Sequence, residues 1–460
     1  MAVPKMVYEW RLGIDDTDSL EGGCTTHFMF NILKEFKHKI KLVEYPLLIR
    51  LNPNIPWKTR GNGAVGIRFL ANEEQAINIF EYVKEMLPPP SKKLKRNSGA
   101  ILAKAEVLKK EIDSIVRKAL TSVVGLNEVL KMIQKKELLY HAKGNKRGLI
   151  GALSVCGYEF LGDFTYELLL YRSPENYGTK RSVSLESIKK LEKRFSPQIF
   201  SSYDFETNTP LILPRGKDPV LLGIRSKNAE LLKKAVKTLD ILEPVEGGLI
   251  FKTNQATDDH FKRLSKKELG FNNVFYSTVK VSKKPERMIG GHVRVLVKDI
   301  KNEEDFWVVA YEPSKRFRDI VSKLIPEDLL WVGGGIRDEM FENRYTLNLE
   351  RLIILRTVNE YKKINPDCPI CGKKLTSKGK NQGFKCKKCG KSYPDAKPKL
   401  IPIKRQVMPG LYLPPLTAQR HLTKPLERFC EYNEIKNSDL RHEKKEVLSQ
   451  DFFIDKSYFY

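Results

Sequence analysis

The chain has 460 residues, room for about three domains at roughly 150 residues each. Lys plus Arg number 82 against 56 Asp plus Glu, a formal net charge of +26, which excludes a neutral surface and points to a polyanionic partner, nucleic acid or an anionic membrane. No run nears the roughly 18 apolar residues of a spanning helix and no basic-then-apolar leader is visible, so a cytoplasmic protein without a membrane role is expected.

In chain order, Val7–Ile14 reads as a strand ending in a polar loop, and Thr25–Lys39, with Phe28, Phe30, Ile32, Leu33 and Phe36, as a helix. Val43–Leu51 and Gly63–Leu70 read as strands and Glu73–Met86 as a helix, an order that fits a mixed α/β layer domain. Pro88, Pro89 and Pro90 followed by Lys92, Lys93, Lys95 and Arg96 mark an exposed loop. Helical patterns at Ile112–Leu120 and Leu126–Ile133 carry this domain to about residue 145. A second unit, 146–272, alternates strands at Leu149–Cys156, Thr165–Arg172, Val220–Ile224 and Leu249–Thr253 with helices at Leu185–Arg194 and Ala229–Leu239, which fits a ferredoxin-like α+β domain. In 273–358, strands at Ser277–Val281, His292–Val297, Phe306–Tyr311, Leu329–Gly333 and Arg344–Leu349, with a helix at Lys315–Leu324 between the third and fourth, follow the order of an OB-fold β-barrel; an open sandwich is the competing arrangement.

Residues 364–400 hold Cys368-Pro-Ile-Cys371-Gly and Cys386-Lys-Lys-Cys389-Gly. Each CxxC turn brings two thiolates to a shared centre, and four thiolates with no open position make a structural Zn²⁺ site, a zinc ribbon. The remaining cysteines, Cys24, Cys156 and Cys430, are scattered, unlike a disulfide framework. Between Tyr361 and Cys430 there are 17 Lys or Arg and 3 Asp or Glu, so this stretch alone carries 17 − 3 = +14. Lys385, Lys387 and Lys388 around the second knuckle can meet phosphates. A basic C-terminal extension, 401–460, follows.

The N-terminal region has the opposite charge. Gly13-Ile14-Asp15-Asp16-Thr17-Asp18-Ser19 ends the first strand, and Gly22-Gly23-Cys24-Thr25-Thr26 opens a helix. Clustered Asp15, Asp16 and Asp18 suit Mg²⁺, a hard cation that favours oxygen ligands. Gly22 and Gly23 let the backbone approach a phosphate, and the N–H groups of the helix start face the anion. Thr25 or Thr26 offers a hydroxyl as cap or nucleophile; an Asp-rich turn with an ordinary Thr cap is the plainer alternative. Downstream, Arg50–Gly63 combines Lys58 and Arg60 with Gly61, Asn62 and Gly63, a set suited to gripping a triphosphate. Gly61, Gly63 and Gly66 match GxGxxG, but a strand rather than a helix follows, so a dinucleotide fold is excluded; no Walker GxxxxGK[ST] occurs.

Together these strings resemble the archaeal tRNA-isoleucine 2-agmatinylcytidine synthetase family. The match runs through Gly13–Ser19, Cys24-Thr25-Thr26, Arg50–Gly63, Arg147–Ala152, Thr253–Asp258, Gly290–Val293, Glu312–Arg318, both knuckles and Arg420–Pro425, along almost the whole chain. The resemblance implies a multidomain α+β chain: a kinase-like α/β domain at 1–145, the ferredoxin-like domain, the OB fold and the zinc ribbon. It implies an ATP-dependent ligase that attaches agmatine to C2 of the wobble cytidine of a CAU tRNA-Ile, with phosphorylation of the C2 oxygen and displacement of phosphate by the amine.

Under that resemblance, Asp15, Asp16, Asp18 and Thr25 are the catalytic candidates, Thr25 through autophosphorylation. Gly22, Gly23, Cys24, Thr26, Lys58, Arg60, Gly61, Asn62, Gly63 and Arg147 are the candidates for ATP. Agmatine, a dication with an apolar stem, calls for carboxylates and aromatic walls, and Asp163, Phe164, Phe200 and Asp204 are the candidates. His292, Lys315, Arg316, Arg318, Arg420, His421 and Lys424 join the ribbon lysines as tRNA contacts. No protein partner is implied. The competing functions are a non-catalytic single-stranded RNA- or DNA-binding protein, which leaves the acidic loop unexplained, and a small-molecule kinase, which leaves the basic stretch unexplained.

Overall fold

The computed structural model describes residues 6–19, 21–91, 95–108, 111–265, 269–429 and 452–458. Lys92, Lys93 and Cys430 lie outside the described residues, as does most of the extension beyond them.

The first unit contains β1 (Tyr8–Asp15), α1 (Thr25–Phe36), β2 (Lys41–Leu42), β3 (Leu47–Arg50), β4 (Gly63–Ala71), α2 (Glu73–Met86), β5 (Gly99–Lys104), α3 (Asp113–Thr121), α4 (Leu126–Lys135), β6 (Leu139–Ala142) and α5 (Gly148–Gly157). The second contains β7 (Thr165–Arg172), α6 (Leu185–Phe195), β8 (Ile199–Phe200), β9 (Tyr203–Asp204), β10 (Thr209–Pro210), β11 (Val220–Ser226), α7 (Ala229–Val236) and β12 (Val245–Thr253). Local chemistry starts several of these elements. Asn72 and Gln75 form a reciprocal capping box on α2, and Asn228 accepts from Glu230 N and Leu231 N at the start of α7.

The two units share one sheet, in the order β6-β5-β1-β4-β3-β12-β7-β11-β8. The seam is the parallel pair β3–β12, with Leu47 opposite Lys252 and Leu48 opposite Thr253. One apolar cluster crosses this seam, with Leu12, Phe30, Leu48 and Phe69 on one side and Leu168, Leu222 and Phe251 on the other.

The Leu149–Cys156 segment is helical, a correction to the strand expected there. It is α5, buried on nearly every side, and a short apolar run without a polar face has no periodicity that separates helix from strand. Small residues let α5 lie directly on the sheet: a Cβ at Gly13 would stand 2.1 Å from Ala152 O, and one at Gly151 would stand 2.0 Å from Asp15 Oδ2.

The barrel contains β13 (Val274–Val281), β14 (Glu286–Arg287), β15 (Val293–Asp299), β16 (Asp305–Ala310), α8 (Arg316–Val321), β17 (Leu329–Phe341) and β18 (Arg344–Arg356). The ring β13-β17-β18-β16-β15 closes through a β13–β15 pairing, and β16 and β18 run parallel. This closed five-stranded ring is an OB-fold barrel, not an open sandwich. Phe275, Phe306, Leu330 and Leu352 fill it.

A stalk of β19 (Glu360–Ile364) and β23 (Lys399–Ile403) then leads to a small sheet of β20 (Thr376–Ser377), β21 (Phe384–Lys385) and β22 (Ser392–Tyr393). Beyond the stalk, β24 (Gly410–Tyr412) rejoins β18, residues 413–429 run back toward the large shared sheet, and β25 (Phe453–Asp455) pairs with β12. Among the described residues no helix is long and apolar enough to cross a membrane.

Candidate active site

β1 delivers the acidic loop. Its buried Leu12 and Ile14 anchor the strand, and the chain turns sharply at Asp16, whose φ is 57°. Asp15 Oδ1 accepts from Asp16 N at 2.7 Å, and Asp16 Oδ2 accepts from Asn97 N at 2.9 Å. Arg60 then ties this wall together. It donates to Asp18 Oδ2 at 3.1 Å, to Asp218 Oδ2 at 2.7 Å and to Gly23 O. Burial and the neighbouring Asp16 push Asp15 well above the ordinary carboxylate range. Burial and Asp18 push Asp16 up to about 7, and burial raises Asp18 despite Arg60. Three carboxylates raised in this way make an acidic wall, but among the described residues only the four ribbon cysteines bring metal-ligand atoms within 4.8 Å of one another, so Asp15, Asp16 and Asp18 do not form a closed metal site here.

Gly22 and Gly23 approach helix α1 with φ of 150° and 76°, backbone that side chains other than glycine rarely adopt. Thr25 and Thr26 follow on its first turn, both buried, and Cys24 Sγ lies 3.0 Å from Thr26 Oγ1.

The opposite wall is cationic. Arg50 at the end of β3 donates Nε–H to Gln255 Oε1 at 3.2 Å, and its backbone N–H goes to Asn254 Oδ1 at 2.8 Å. Arg225 donates from Nε to Glu167 Oε1 and from Nη2 to His421 Nδ1, both at 3.0 Å. Gln255 Nε2 also donates to Glu167. His421 reaches solvent through the cavity but is ringed by Arg50, Arg225 and Arg420, and these guanidiniums with burial hold its pKa well below the usual histidine value. Lys58 is lowered to about 8 by burial and by Arg420. At the rim, the Arg147 guanidinium lies 4.2 Å from the ring centre of Trp57.

These walls enclose one cavity of about 370 Å³. Of the residues expected from sequence it gathers Asp15, Asp16, Asp18, Cys24, Thr25, Thr26, Lys58, Arg60, Gly61, Asn62, Gly63 and Arg147. It also gathers Arg50, Trp57, Glu167, Asp218 and Arg225, which sequence reasoning did not single out. Arg50 and Trp57 lie inside the matching Arg50–Gly63 string; Glu167, Asp218 and Arg225 carry no local signal.

None of the four agmatine candidates lines the cavity. Asp163 pairs with Lys424 at 2.8 Å and Arg428 at 2.6 Å. Phe164 packs on Phe160, Tyr166 and Lys252. Phe200 is buried beside Arg428. Asp204 Oδ1 caps Glu206 N at 2.9 Å, while its buried Oδ2 and the buried Ser202 Oγ have no hydrogen-bond partner among the described residues. This hairpin backs the cavity wall, since Ser202 O accepts from Leu211 N at 2.9 Å and Leu211 lines the cavity.

The expected tRNA contacts divide. Lys315 and Arg316 are exposed at the start of α8, Arg318 lies beside them, and His292 Nδ1 accepts from Glu312 N at 2.9 Å nearby. Lys385, Lys387 and Lys388 are exposed on the ribbon. Arg420 lines a second cavity with His292, His421 is exposed in the first, and Lys424 is buried on Asp163, so Lys424 offers no open docking surface. In the ribbon the Sγ atoms of Cys368, Cys371, Cys386 and Cys389 lie within 4.8 Å of one another, a closed tetrathiolate set that fits Zn²⁺.

Family models described as the TiaS TCKD domain, the TiaS FLD domain and the TiaS C-terminal zinc ribbon domain match residues 11–143, 146–260 and 365–407. TiaS of Staphylothermus marinus, a 2-agmatinylcytidine synthetase acting on the second isoleucine tRNA, is 41% identical, over 91% of this chain and 93% of its own. That of Pyrococcus horikoshii is 37% identical over 90% and 96%. A solved complex of TiaS with that isoleucine tRNA and ATP superposes with a TM-score of 0.80 at 32% identity, covering 95% of this chain and 99% of that one. The complex of TiaS with the same tRNA, AMPCPP and agmatine gives 0.79 at 31%, with the same coverage.

Proposed function

Since this chain belongs to the TiaS family of tRNA-isoleucine 2-agmatinylcytidine synthetases, we propose that its bipolar cavity is the chamber in which ATP activates the wobble cytidine of CAU tRNA-Ile for attack by agmatine. The protein is an ATP-dependent ligase and acts in the cytoplasm. The observation that carries this assignment is the meeting of the acidic loop, the Arg50–Gly63 segment and the start of α1 around one cavity.

The C2 oxygen is a poor leaving group, so it first takes the γ-phosphoryl group of ATP. The amine nitrogen of agmatine then bonds to C2 and the C2–O bond breaks. Asp15, Asp16 and Asp18 would hold Mg²⁺ with nucleotide bound, and the ion would screen phosphate charge. Lys58, Arg60 and Arg147 face the phosphates, and Gly22 and Gly23 keep the backbone open to them. Thr25, which lines the cavity at the start of α1, is the residue proposed to autophosphorylate. For agmatine, the unpartnered Asp204 Oδ2 and Ser202 Oγ beside Phe200 support a guanidinium site behind Leu211, with the stem directed toward the chamber. Lys315, Arg316, Arg318 and the ribbon lysines bind tRNA phosphates.

The test is incubation with ATP, Mg²⁺, labelled agmatine and unmodified CAU tRNA-Ile. Label in the tRNA that depends on ATP is the expected result. Tight tRNA binding without label would favour the non-catalytic reading. Thr25→Ala should lose incorporation and keep tRNA affinity; normal turnover in that variant would remove Thr25 from catalysis.

A further inference from the structure

Arg50 and His421 meet beside Gly61 on the cavity wall, and Arg225, which also lines the cavity, joins them through the other nitrogen of the imidazole. A Cβ built on Gly61 would stand 2.8 Å from Arg50 Nη1 and 3.6 Å from His421 Nε2. Arg225 stands beside them through its 3.0 Å bond to His421. A guanidinium has no acceptor, so His421 Nδ1 is the lone-pair nitrogen in that bond. Nε2 therefore carries the hydrogen, on the ring edge that lies beside Gly61 and Arg50 Nη1. Among the described residues Glu167 is the one carboxylate paired with Arg225, and none pairs with Arg50. Two guanidiniums against one carboxylate leave this part of the wall cationic, whereas Arg60 is spent on Asp18 and Asp218.

His421 is presented by a strap that arrives after the zinc ribbon. Ala256 N donates to His421 O and Asp258 N to Leu422 O, each at 2.8 Å. Asp163 clamps the strap through Lys424 and Arg428. The donor set is complete only with the strap in place, and Asp163 is a positioning residue for it.

We propose that Arg50, Arg225 and His421 form a phosphate subsite that receives the phosphoryl group carried on the C2 oxygen and stabilises it as it leaves. The assignment rests on the activity proposed above. When agmatine attacks, the N–C2 bond forms and the C2–O bond breaks. The electron pair stays on the phosphate oxygen, and the proton lost from the amine leaves with inorganic phosphate. A dianion departing beside Asp15, Asp16 and Asp18 would be repelled; beside Arg50, Arg225 and His421 it meets preorganised N–H donors. The same donors suit two other phosphate sources, the γ-phosphate of ATP and the phosphodiester next to the wobble nucleotide.

The full-length zinc-loaded protein and its Arg225→Gln, Arg225→Lys and His421→Gln variants separate these sources. The first measurement is binding of inorganic phosphate alone, which needs no turnover. Affinity should fall at least about tenfold in Arg225→Gln, with partial recovery in Arg225→Lys, as expected for a charge-assisted site. Unchanged phosphate affinity in both glutamine variants overturns the subsite. The second is transfer of the γ-phosphoryl group to tRNA without agmatine, set against agmatine incorporation. Loss of an oxyanion-type donor should lower incorporation about 100-fold and phosphoryl transfer less than tenfold. Equal loss of both steps assigns the site to ATP, and loss of tRNA affinity with turnover intact assigns it to the phosphodiester; either overturns the leaving-group role. Absence of incorporation in the unaltered protein would overturn the proposed activity instead, while the phosphate-binding arm still decides the subsite.

Discussion

The zinc ribbon and the catalytic chamber are both built from polar groups that a core would normally exclude, and they are held in opposite ways. The ribbon takes four ligands from 22 consecutive residues and has almost no apolar interior beyond Leu375 and Phe384. Its shape depends on thiolates and a metal. The chamber draws on residues from Asp15 to His421 and rests on a sheet whose apolar cluster spans both α/β units. A local site therefore fails as a unit when its metal goes. A composite site fails piecemeal, and distant substitutions reach it through backbone placement.

The sharpest test of this contrast is Asp18→Asn. It removes a carboxylate from the wall and releases one arm of Arg60, so agmatine incorporation should fall at least about 1000-fold. tRNA affinity and zinc content should stay as they are; loss of either would mean the chamber and the ribbon are not separable. Cys386→Ser, or chelation of zinc, should reverse the pattern. A roughly 100-fold loss of tRNA affinity is expected from losing several phosphate contacts, with ATP affinity unchanged in an equilibrium titration. Unaltered tRNA affinity would deny the ribbon a docking role.

A smaller effect comes from Gly151→Ala. The new methyl group would press on Asp15 Oδ2, with Cβ only 2.0 Å away. Nucleotide affinity should drop about tenfold, on the order of 1.4 kcal/mol, while the protein still binds tRNA. The mildest test is pH. Asp16 titrates at about 7, so a cation binding there must displace a proton below that pH. Mg²⁺-dependent ATP affinity should weaken as pH falls from 8 to 6, approaching about tenfold per unit below 7 for one linked proton. The folded-state pKa lies above the unfolded value of 3.8, so the metal-free protein loses stability as pH rises from about 4 to 7. Asp16→Asn should remove the part of both responses centred near pH 7 and leave that of Asp15 and Asp18, which are also raised; an unchanged response near pH 7 would place the linked proton elsewhere.

The same contrast explains what the sequence made readable. The knuckles, the acidic loop and the Arg50–Gly63 string are contiguous, and each announces its chemistry by residue type and spacing. The barrel was readable because its strands alternate and its helix sits between the third and fourth. Glu167, Asp218 and Arg225 were invisible, since each lies in an ordinary strand or loop and gains meaning only where β7 and β11 meet the first unit. α5 was misread because an all-buried apolar run looks alike as strand or helix. Lys424 read as a phosphate contact by composition, and its burial on Asp163 is a tertiary fact with no local trace.

The stalk also makes the ribbon's reach a matter of counting. β19 and β23 pair residue for residue from Glu360 opposite Ile403 to Ile364 opposite Lys399. Five paired residues at about 3.4 Å each set the small sheet roughly 17 Å out from the barrel. Adding two residues to each strand keeps every side chain on its own face and moves the ribbon roughly 7 Å along the same line. Adding one would turn its outward faces over. The stalk thus behaves as a ruler with a two-residue division, and a set of lengthened variants would read out which tRNA dimension it measures.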